Sequence, residues 1–187
     1  MGRIVVTEFV SLDGVMEDPG GSEDFKYGGW TFEITSGEEG GKFKLDETFA
    51  SDALLLGRVT YEGFAEAWPS REGEFADRFN RMPKYVVSST LEAAEWENST
   101  VLRGDLADEV AKVKAKHDRD VVVHGSAQLV QGLLERDLVD ELRLMVFPVV
   151  LGGGKRLFGE TSDQKRFELA DTKTVGEGVV IIVYLRS

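Results

Sequence analysis

The sequence contains no cysteine and only two histidines among its 187 residues. The lack of cysteine excludes disulfides, thiol catalysis and cysteine-containing zinc sites, and it is consistent with a reducing compartment. His117 and His124 are too few to form a metal site, because no carboxylates accompany them at a recognisable spacing. We therefore predict a cytoplasmic protein without a bound metal.

Long apolar runs and blocks of basic residues are also missing. No apolar stretch approaches the roughly 18 residues that span a bilayer, and "MGRIVVTEFV" is typical of a first strand rather than of a signal peptide. The formal net charge is −12, and no block of five Lys or Arg residues interrupts it, so a nucleic-acid backbone would be repelled. These absences predict a chain that binds neither membranes nor nucleic acid. They are compatible with a small anionic ligand, because a local cluster of backbone N–H groups and Arg side chains can hold a phosphate.

Short apolar runs alternate with amphipathic stretches along the chain. This pattern predicts a single α/β domain over residues 1–187, in which helices cover a mainly parallel sheet. The last two strands are joined by "GEG", which suits an antiparallel hairpin. Helices are predicted after Gly57, from Asp105, after Gly125 and near 39–51. The predicted strands are 3–10, 53–56, 84–89, 120–125, 140–150, 166–174 and 179–186.

Three predicted strands end in turns that are rich in glycine and hydroxyl groups: "GRVTYE", "SST" and "HGSA". Ligands of open α/β sheets bind beyond the carboxyl ends of the strands, so the three turns together predict a nucleotide site. Gly57 lets backbone approach a ligand, Thr60 offers a hydroxyl, and Arg58 can pair with a phosphate bidentately. Each turn alone is more typical of helix capping. The GxGxxG and Walker A motifs are absent.

A long polar loop occupies about residues 11–37 and contains Pro19 and Trp30. Loops of this length are usually functional or disordered.

Several longer stretches carry a family resemblance. "VSLDGVM", "LLLGRVTYE", "VVSST", "VVVHGSAQLVQGLLERDLVDEL" and "PVVLGGGKRLF" occur in the order and spacing seen in the dihydrofolate reductase superfamily. More narrowly, they resemble the branch that contains the reductase domain of the bifunctional riboflavin-biosynthesis deaminase-reductase. The resemblance implies a mainly parallel sheet of about eight strands, flanking helices, NADPH across the strand ends, and a homodimer paired through the terminal strands.

The resemblance also implies roles for individual residues. Arg58 and Thr60 would lie by the cofactor phosphates, and Ser88 and Ser89 near the adenosine 2′-phosphate. The implied cofactor-binding residues are Gly57, Arg58, Val59, Thr60, Ser88, Ser89, Thr90, Gly125, Ser126 and Ala127. The implied substrate-side residues are Phe9, Met16 and Phe49, with Asp13 and Asp46 as candidate catalytic residues.

The function implied by the resemblance is NADPH-dependent reduction of a small heteroaromatic or carbonyl compound. The candidate substrate is 5-amino-6-(5-phosphoribosylamino)uracil of riboflavin biosynthesis. Gly41 stands where dihydrofolate reductases carry a helix acid, which disfavours folate, and the deaminase signature is absent from a chain without cysteine. Two alternatives stay open: a non-catalytic nucleotide-, pterin- or flavin-binding protein, and a dihydrofolate reductase-like enzyme.

Overall fold

The computed structural model describes residues 1–187 and contains eight strands and five helices. The strands are β1 (Arg3–Ser11), β2 (Ser51–Gly57), β3 (Lys84–Val87), β4 (Ser99–Leu102), β5 (Asp120–Val123), β6 (Glu141–Phe147), β7 (Phe167–Val175) and β8 (Val179–Arg186). The helices are α1 (Gly37–Ala50), α2 (Arg58–Ala67), α3 (Glu74–Arg81), α4 (Leu106–Lys116) and α5 (Ala127–Glu135). None of these helices combines the length and apolar character needed to cross a membrane.

All eight strands form one sheet, in the order β4-β3-β2-β5-β1-β6-β8-β7. The pairings among β1 to β6 are parallel, and β8 runs antiparallel to both of its neighbours. β1 lies inside the sheet, where Val5 is paired with Val122 on one side and Glu141 on the other. The predicted α/β fold, with a mainly parallel sheet and a C-terminal antiparallel hairpin, is confirmed.

The two faces of the sheet are covered by different helices. On the α5 face, which α4 and α5 cover, a core of 20 buried residues includes Val6, Val123 and Leu133. On the α1 face, which α1, α2 and α3 cover, the apolar side chains form two smaller cores, one around Phe79 and one around Trp30. Charged side chains occupy the space between these two cores.

The long loop between β1 and α1 packs against the α1 face. Trp30 is 2% exposed, its ring lies edge-on to Phe147 with centroids 5.4 Å apart, and its indole N–H donates to the Glu17 carbonyl (2.9 Å). Asp18 caps the next turn by accepting from the backbone N–H of Ser22 (2.6 Å). The loop is therefore held by its own contacts and by an aromatic anchor.

Two elements were absent from the sequence prediction. β4 has only four residues, "STVL", at the edge of the sheet, and α3, "EFADRFNR", buries only Ala76 and Phe79. Such short or mainly polar segments carry too little apolar periodicity to be recognised. The predicted cap of α4 is confirmed, because the Asp105 side chain accepts from the N–H groups of Ala107 and Asp108.

Candidate functional site at the carboxyl edge of the sheet

The turns that follow β2 and β5 contact each other. The backbone N–H of Gly57 donates to the Ser126 hydroxyl (2.9 Å), and the backbone N–H of Ser126 donates to the Thr60 hydroxyl (2.8 Å). Gly125 has a φ of +55°, and a Cβ atom there would lie 2.9 Å from Thr60 Oγ1. A side chain at Gly125 would therefore be strained and would push the two turns apart.

The first turn of α5 presents backbone N–H groups beside this contact. Val130 donates the first hydrogen bond of the helix, to the Ser126 carbonyl, so the N–H groups of residues 127–129 have no partner within the helix. A helix N-terminus also carries a partial positive charge. This turn can therefore hold an anion such as a phosphate, and Ala127 is the predicted residue that begins it.

Glu8 lies on the other side of the same turn. Its side chain is buried, Oε2 accepts from the N–H of Gly125 (3.0 Å), and Oε1 has no hydrogen-bond partner. Burial raises the pKa of the Glu8 carboxyl well above its usual range, although the bond from Gly125 opposes this shift. The N–H groups of Gly125 and Ser126 thus bond within the protein, and these two residues shape the turn rather than donate to an anion.

The turn after β3 is closed by its own serine. Ser88 Oγ accepts from the backbone N–H groups of Thr90 (3.2 Å) and Leu91 (3.0 Å). Arg103, directly after β4, places its guanidinium on the carbonyls of Ser89 (3.4 Å) and Leu91. A cation therefore lies at the ends of β3 and β4. Sequence reasoning missed Arg103 because it did not recognise the strand that positions it.

Arg58 and Val59 begin α2 and face the solvent. Val59 is 58% exposed, and Arg58 pairs with Glu62 one helical turn later (2.9 Å). Exposed pairs of this kind contribute little to stability, so the Arg58 guanidinium can exchange Glu62 for a ligand phosphate. Arg58 and Arg103 thus place two cations at this edge of a chain whose net charge is −12.

Asp13 holds the glycine-rich segment that follows β6. Its carboxylate accepts from the Ser11 hydroxyl (2.6 Å) and from the backbone N–H groups of Leu151 (3.1 Å) and Gly152 (2.9 Å). These hydrogen bonds, led by the one from Ser11, lower the pKa of Asp13 to about 2. Asp13 therefore positions this segment, and its predicted catalytic role stays a prediction.

Charged side chains meet where α1 packs over β1 and β6. Lys44 Nζ donates to Glu47 Oε1 (2.6 Å) and to Thr7 Oγ1 (2.7 Å), and Glu47 also accepts from Arg143 (3.4 Å). The side chain of Glu47 is 2% exposed and that of Lys44 is 15% exposed. Burial opposes ionisation of Glu47, but the charge of Lys44 prevails and lowers the pKa of Glu47.

Arg143 connects this group to two further carboxylates. It donates to Asp120 (2.7 Å) and Glu141 (2.6 Å), and Arg3 donates to the same two residues at 2.7 and 2.9 Å. Burial disfavours the charge of Arg143, but the hydrogen bond to Glu141 and the nearby carboxylates raise its pKa. The buried charge network joins three cations to three carboxylates: Arg3, Lys44, Arg143, Glu47, Asp120 and Glu141.

His124 follows β5 on the same face of the sheet. Its ring lies edge-on to Phe79 of α3, with centroids 5.5 Å apart. Burial and, secondarily, the positive charge of Lys44 lower the pKa of His124 to about 3. The imidazole is therefore neutral at pH 7.

The structure corrects the predicted placement of Asp46 and Phe49. Asp46 pairs with Lys42 on the exposed side of α1, and its side chain is 62% exposed. Phe49 is 41% exposed, and its carbonyl accepts from Arg119 (3.3 Å), close to the amino end of β5. Neither residue faces the site, because α1 is rotated so that Lys44 and Glu47 meet the sheet.

Phe9 and Met16 have different surroundings. Phe9 is half-buried beside Lys44, whose amine lies 5.5 Å from the centroid of its ring. Met16 is 6% exposed within the core of the α5 face, and its N–H donates to the Lys155 carbonyl (2.9 Å). Phe9 therefore borders the charged part of the α1 face, whereas Met16 supports the loop after β1.

The hydrogen-bond donors at the carboxyl ends of the strands match the phosphate groups of NADPH. The first turn of α5 suits a diphosphate, and Arg58 and Arg103 suit an additional phosphate near the ends of β2 to β4. At Gly125 the backbone alone lines the turn, since Thr60 leaves no room for a Cβ. The residues present therefore provide for both anionic parts of this cofactor.

A separate surface cavity of about 580 Å³ lies at the far end of α2, where its lining includes Glu66, Pro69, Asn80 and Trp96. No residue of the carboxyl edge borders it, so the cavity is separate from the candidate site.

Comparison with known proteins identifies relatives over nearly the whole chain. The family model of the RibD C-terminal domain matches residues 3–181. The uncharacterized protein YyaP of Bacillus subtilis (strain 168) is 31% identical over 188 residues, which cover 97% of this chain and 94% of YyaP.

Three solved structures share the fold. A protein from Shewanella sp. PV-4 that is provisionally assigned to riboflavin biosynthesis superposes with a TM-score of 0.78 at 24% identity, covering 99% of each chain. RibD of Acinetobacter baumannii gives 0.67 at 18% identity, covering 100% of this chain and 58% of RibD. Dihydrofolate reductase of Enterococcus faecalis, complexed with NADP(H), gives 0.59 at 15% identity, covering 99% and 96%.

Proposed function

The chain belongs to the RibD C-terminal domain family, and we propose on that basis that it is an NADPH-dependent reductase. Its substrate is a small heteroaromatic or carbonyl compound, with 5-amino-6-(5-phosphoribosylamino)uracil as the candidate. The family supports a reductase-type enzyme, and the similarity of fold to a dihydrofolate reductase complexed with NADP(H) supports the cofactor.

One observation carries this proposal: the contact between the turns after β2 and β5. The bonds from Gly57 to Ser126 and from Ser126 to Thr60 hold the two turns together. This contact sets the N-terminus of α5 beside the strand ends, where α/β proteins bind nucleotides. The diphosphate of the cofactor binds at residues 127–129.

The arginines on either side of the Ser88 turn bind the 2′-phosphate. Arg58 lies at the end of β2 and Arg103 at the end of β4, and the Ser88 hydroxyl shapes the turn between them. A guanidinium pairs with a phosphate through two parallel hydrogen bonds, so this edge discriminates NADPH from NADH.

NADPH supplies the hydride when it is bound, and the protein supplies orientation and exclusion of water. Phe9 would border the nicotinamide. Asp13 keeps the segment at Leu151 and Gly152 in place at the same edge.

The test is to titrate the purified protein with NADPH and, separately, with NADH, and to measure each affinity by calorimetry. We expect a clear preference for NADPH. In Arg58→Ala the affinity for NADPH falls by about tenfold or more, the equivalent of one charge-assisted hydrogen bond, while the affinity for NADH is unchanged. Arg71→Ala is the matched control, because Arg71 lies beyond the other end of α2, stacked on Trp68 at 4.4 Å.

Failure to bind either nucleotide would overturn the proposal. Binding of NADPH without oxidation by any heteroaromatic or carbonyl compound tested would favour the non-catalytic alternative. The observation that favours this alternative is Gly41, which stands where dihydrofolate reductases carry a helix acid.

We also propose that the protein is a cytoplasmic homodimer. β7 is an edge strand of nine residues, and its outer hydrogen-bonding groups have no partner strand. Pairing of two β7 strands would cover them. Light scattering at micromolar concentration should give twice the monomer mass of 20.7 kDa, and the monomer mass would contradict the dimer.

A further inference from the structure

The Lys44 ammonium group has one hydrogen-bond donor to spare. A protonated lysine has three N–H donors, and here two of them bond to Glu47 Oε1 and Thr7 Oγ1. No protein acceptor takes the third, although the side chain is only 15% exposed. Glu47 and Thr7 fix the position of the amine, so the third donor has a defined direction rather than a mobile one.

The surroundings of Lys44 suit the flat, uncharged ring of a ligand. The ring of Phe9 lies 5.5 Å from the amine. His124 is neutral on the neighbouring strand, with the ring of Phe79 beyond it. The ring of Phe9 and the neutral imidazole of His124 thus lie beside one unsatisfied cationic donor.

The charge of Lys44 is already balanced. Glu47 faces it at 2.6 Å, and the rest of the buried charge network contains two cations and two carboxylates: Arg3, Arg143, Asp120 and Glu141. An anionic ligand group would disturb this balance. A neutral oxygen acceptor would instead satisfy the third donor without adding charge.

The geometry points to Lys44 as the residue that selects the substrate, by donating to a neutral oxo group on its ring. This inference rests on the proposed function, because it concerns the substrate of that same site. A ring amino group in this place would set N–H against N–H and leave the lysine donor unpaired. Glu47 and Thr7 act through Lys44 as positioning residues.

A matched pair of ligands tests the inference. Binding of 5,6-diaminouracil and of 2,4,5,6-tetraaminopyrimidine to the protein saturated with NADP⁺ is measured by calorimetry; the two compounds differ by exchange of two oxo groups for amino groups. We expect the uracil to bind at least about tenfold more tightly, as one charge-assisted hydrogen bond provides. Lys44→Met removes this preference, and Lys44→Arg retains part of it.

Lys42→Met is the matched control, since Lys42 lies on the exposed side of the same helix, where it pairs with Asp46. It keeps the full preference. If Lys44→Met does not fold, Thr7→Val serves in its place, because it removes one of the two groups that orient the amine, and the preference decreases. NADP⁺ affinity and melting temperature are recorded for every variant.

The inference is overturned if the wild-type protein binds the two compounds equally, prefers the tetraamine or binds neither. It is also overturned if Lys44→Met keeps the preference while it folds and binds NADP⁺. These results leave the proposed function standing as long as NADP⁺ binds. Loss of nucleotide binding by the wild-type protein would instead reject the proposed function itself.

Discussion

The α5 face of the sheet buries one large apolar core, whereas the α1 face buries two smaller apolar cores with a charge network between them, although the same strands supply both. In β5, Val121 and Val123 point into the core of the α5 face, whereas Asp120 and His124 point to the α1 face. β1 behaves in the same way, with Val6 on one side and Thr7 on the other.

This difference separates two tasks within one sheet. An apolar core tolerates small shifts, because its contacts are non-directional. Buried ions need well-placed partners, since their attraction must offset a desolvation cost of several kcal/mol per ion. The α5 face therefore stabilises the sheet through apolar burial alone, whereas the charged part of the α1 face also fixes donor positions of the kind that a ligand site requires.

Arg143→Met should have the largest effect, because it removes a central cation of the buried charge network on the α1 face. Glu47, Asp120 and Glu141 lose a shared cation, so we expect the free energy of unfolding to fall by about 3–5 kcal/mol. Urea unfolding at pH 7 measures the change. Arg3→Met is the control: Arg3 is 50% exposed and holds two of these carboxylates from outside, so its loss costs less. Equal effects of the two variants would contradict a buried network centred on Arg143.

Leu133→Ala should instead destabilise the apolar core of the α5 face. Leu133 is fully buried in α5, and the cavity left by its side chain should cost about 2–5 kcal/mol. The loss should be the same at pH 5 and pH 8, because no charged group is removed. If the loss depended strongly on pH in urea unfolding, the division between an apolar and a charged face would be wrong.

His124, on the α1 face, makes the free energy of unfolding depend on pH. Its folded pKa of about 3 lies below the ordinary value of 6.5, so the unfolded chain takes up a proton first as the pH falls. Its contribution to stability is complete above pH 6.5 and decreases below it, by at most about 1.4 kcal/mol per pH unit. Urea midpoints between pH 6.5 and 5 should fall in the wild type and in His117→Gln, but not in His124→Gln.

Lys42→Met should have the smallest effect. Lys42 and Asp46 form a pair that is 72% and 62% exposed, so its loss should change the free energy of unfolding by no more than about 0.5 kcal/mol. Urea unfolding again provides the measurement. A loss near that of Arg143→Met would show that the exposed side of α1 carries stability that its structure does not explain.

Much of the fold follows from local patterns. The strands of the sheet interior are short runs of valine and leucine, and α2, α4 and α5 place apolar residues on one side. β4 and α3 escaped prediction because their partners, rather than their own residues, determine their structure. β4 pairs with β3 through backbone hydrogen bonds, and such pairing does not require particular side chains that the sequence would show.

The site was less predictable than the fold. The turns at Gly57 and Gly125 were recognisable because glycines and hydroxyl groups mark them. Lys44 and Glu47 were not, since charged residues three positions apart on a helix are typical of a solvated surface. Only the partner Arg143, 96 residues further along the chain, reveals that this side of α1 is buried.

The position of β1 has a consequence for how the protein is made. Its partners lie far along the chain, with Arg3 bonded to Asp120 across 117 residues and to Glu141 across 138. While the first hundred residues emerge from a ribosome, an apolar strand destined for the sheet interior has nothing to pair with. High contact order slows folding, and exposed strands aggregate. We therefore expect spontaneous refolding to be slow and the yield to rise when a chaperone shields β1.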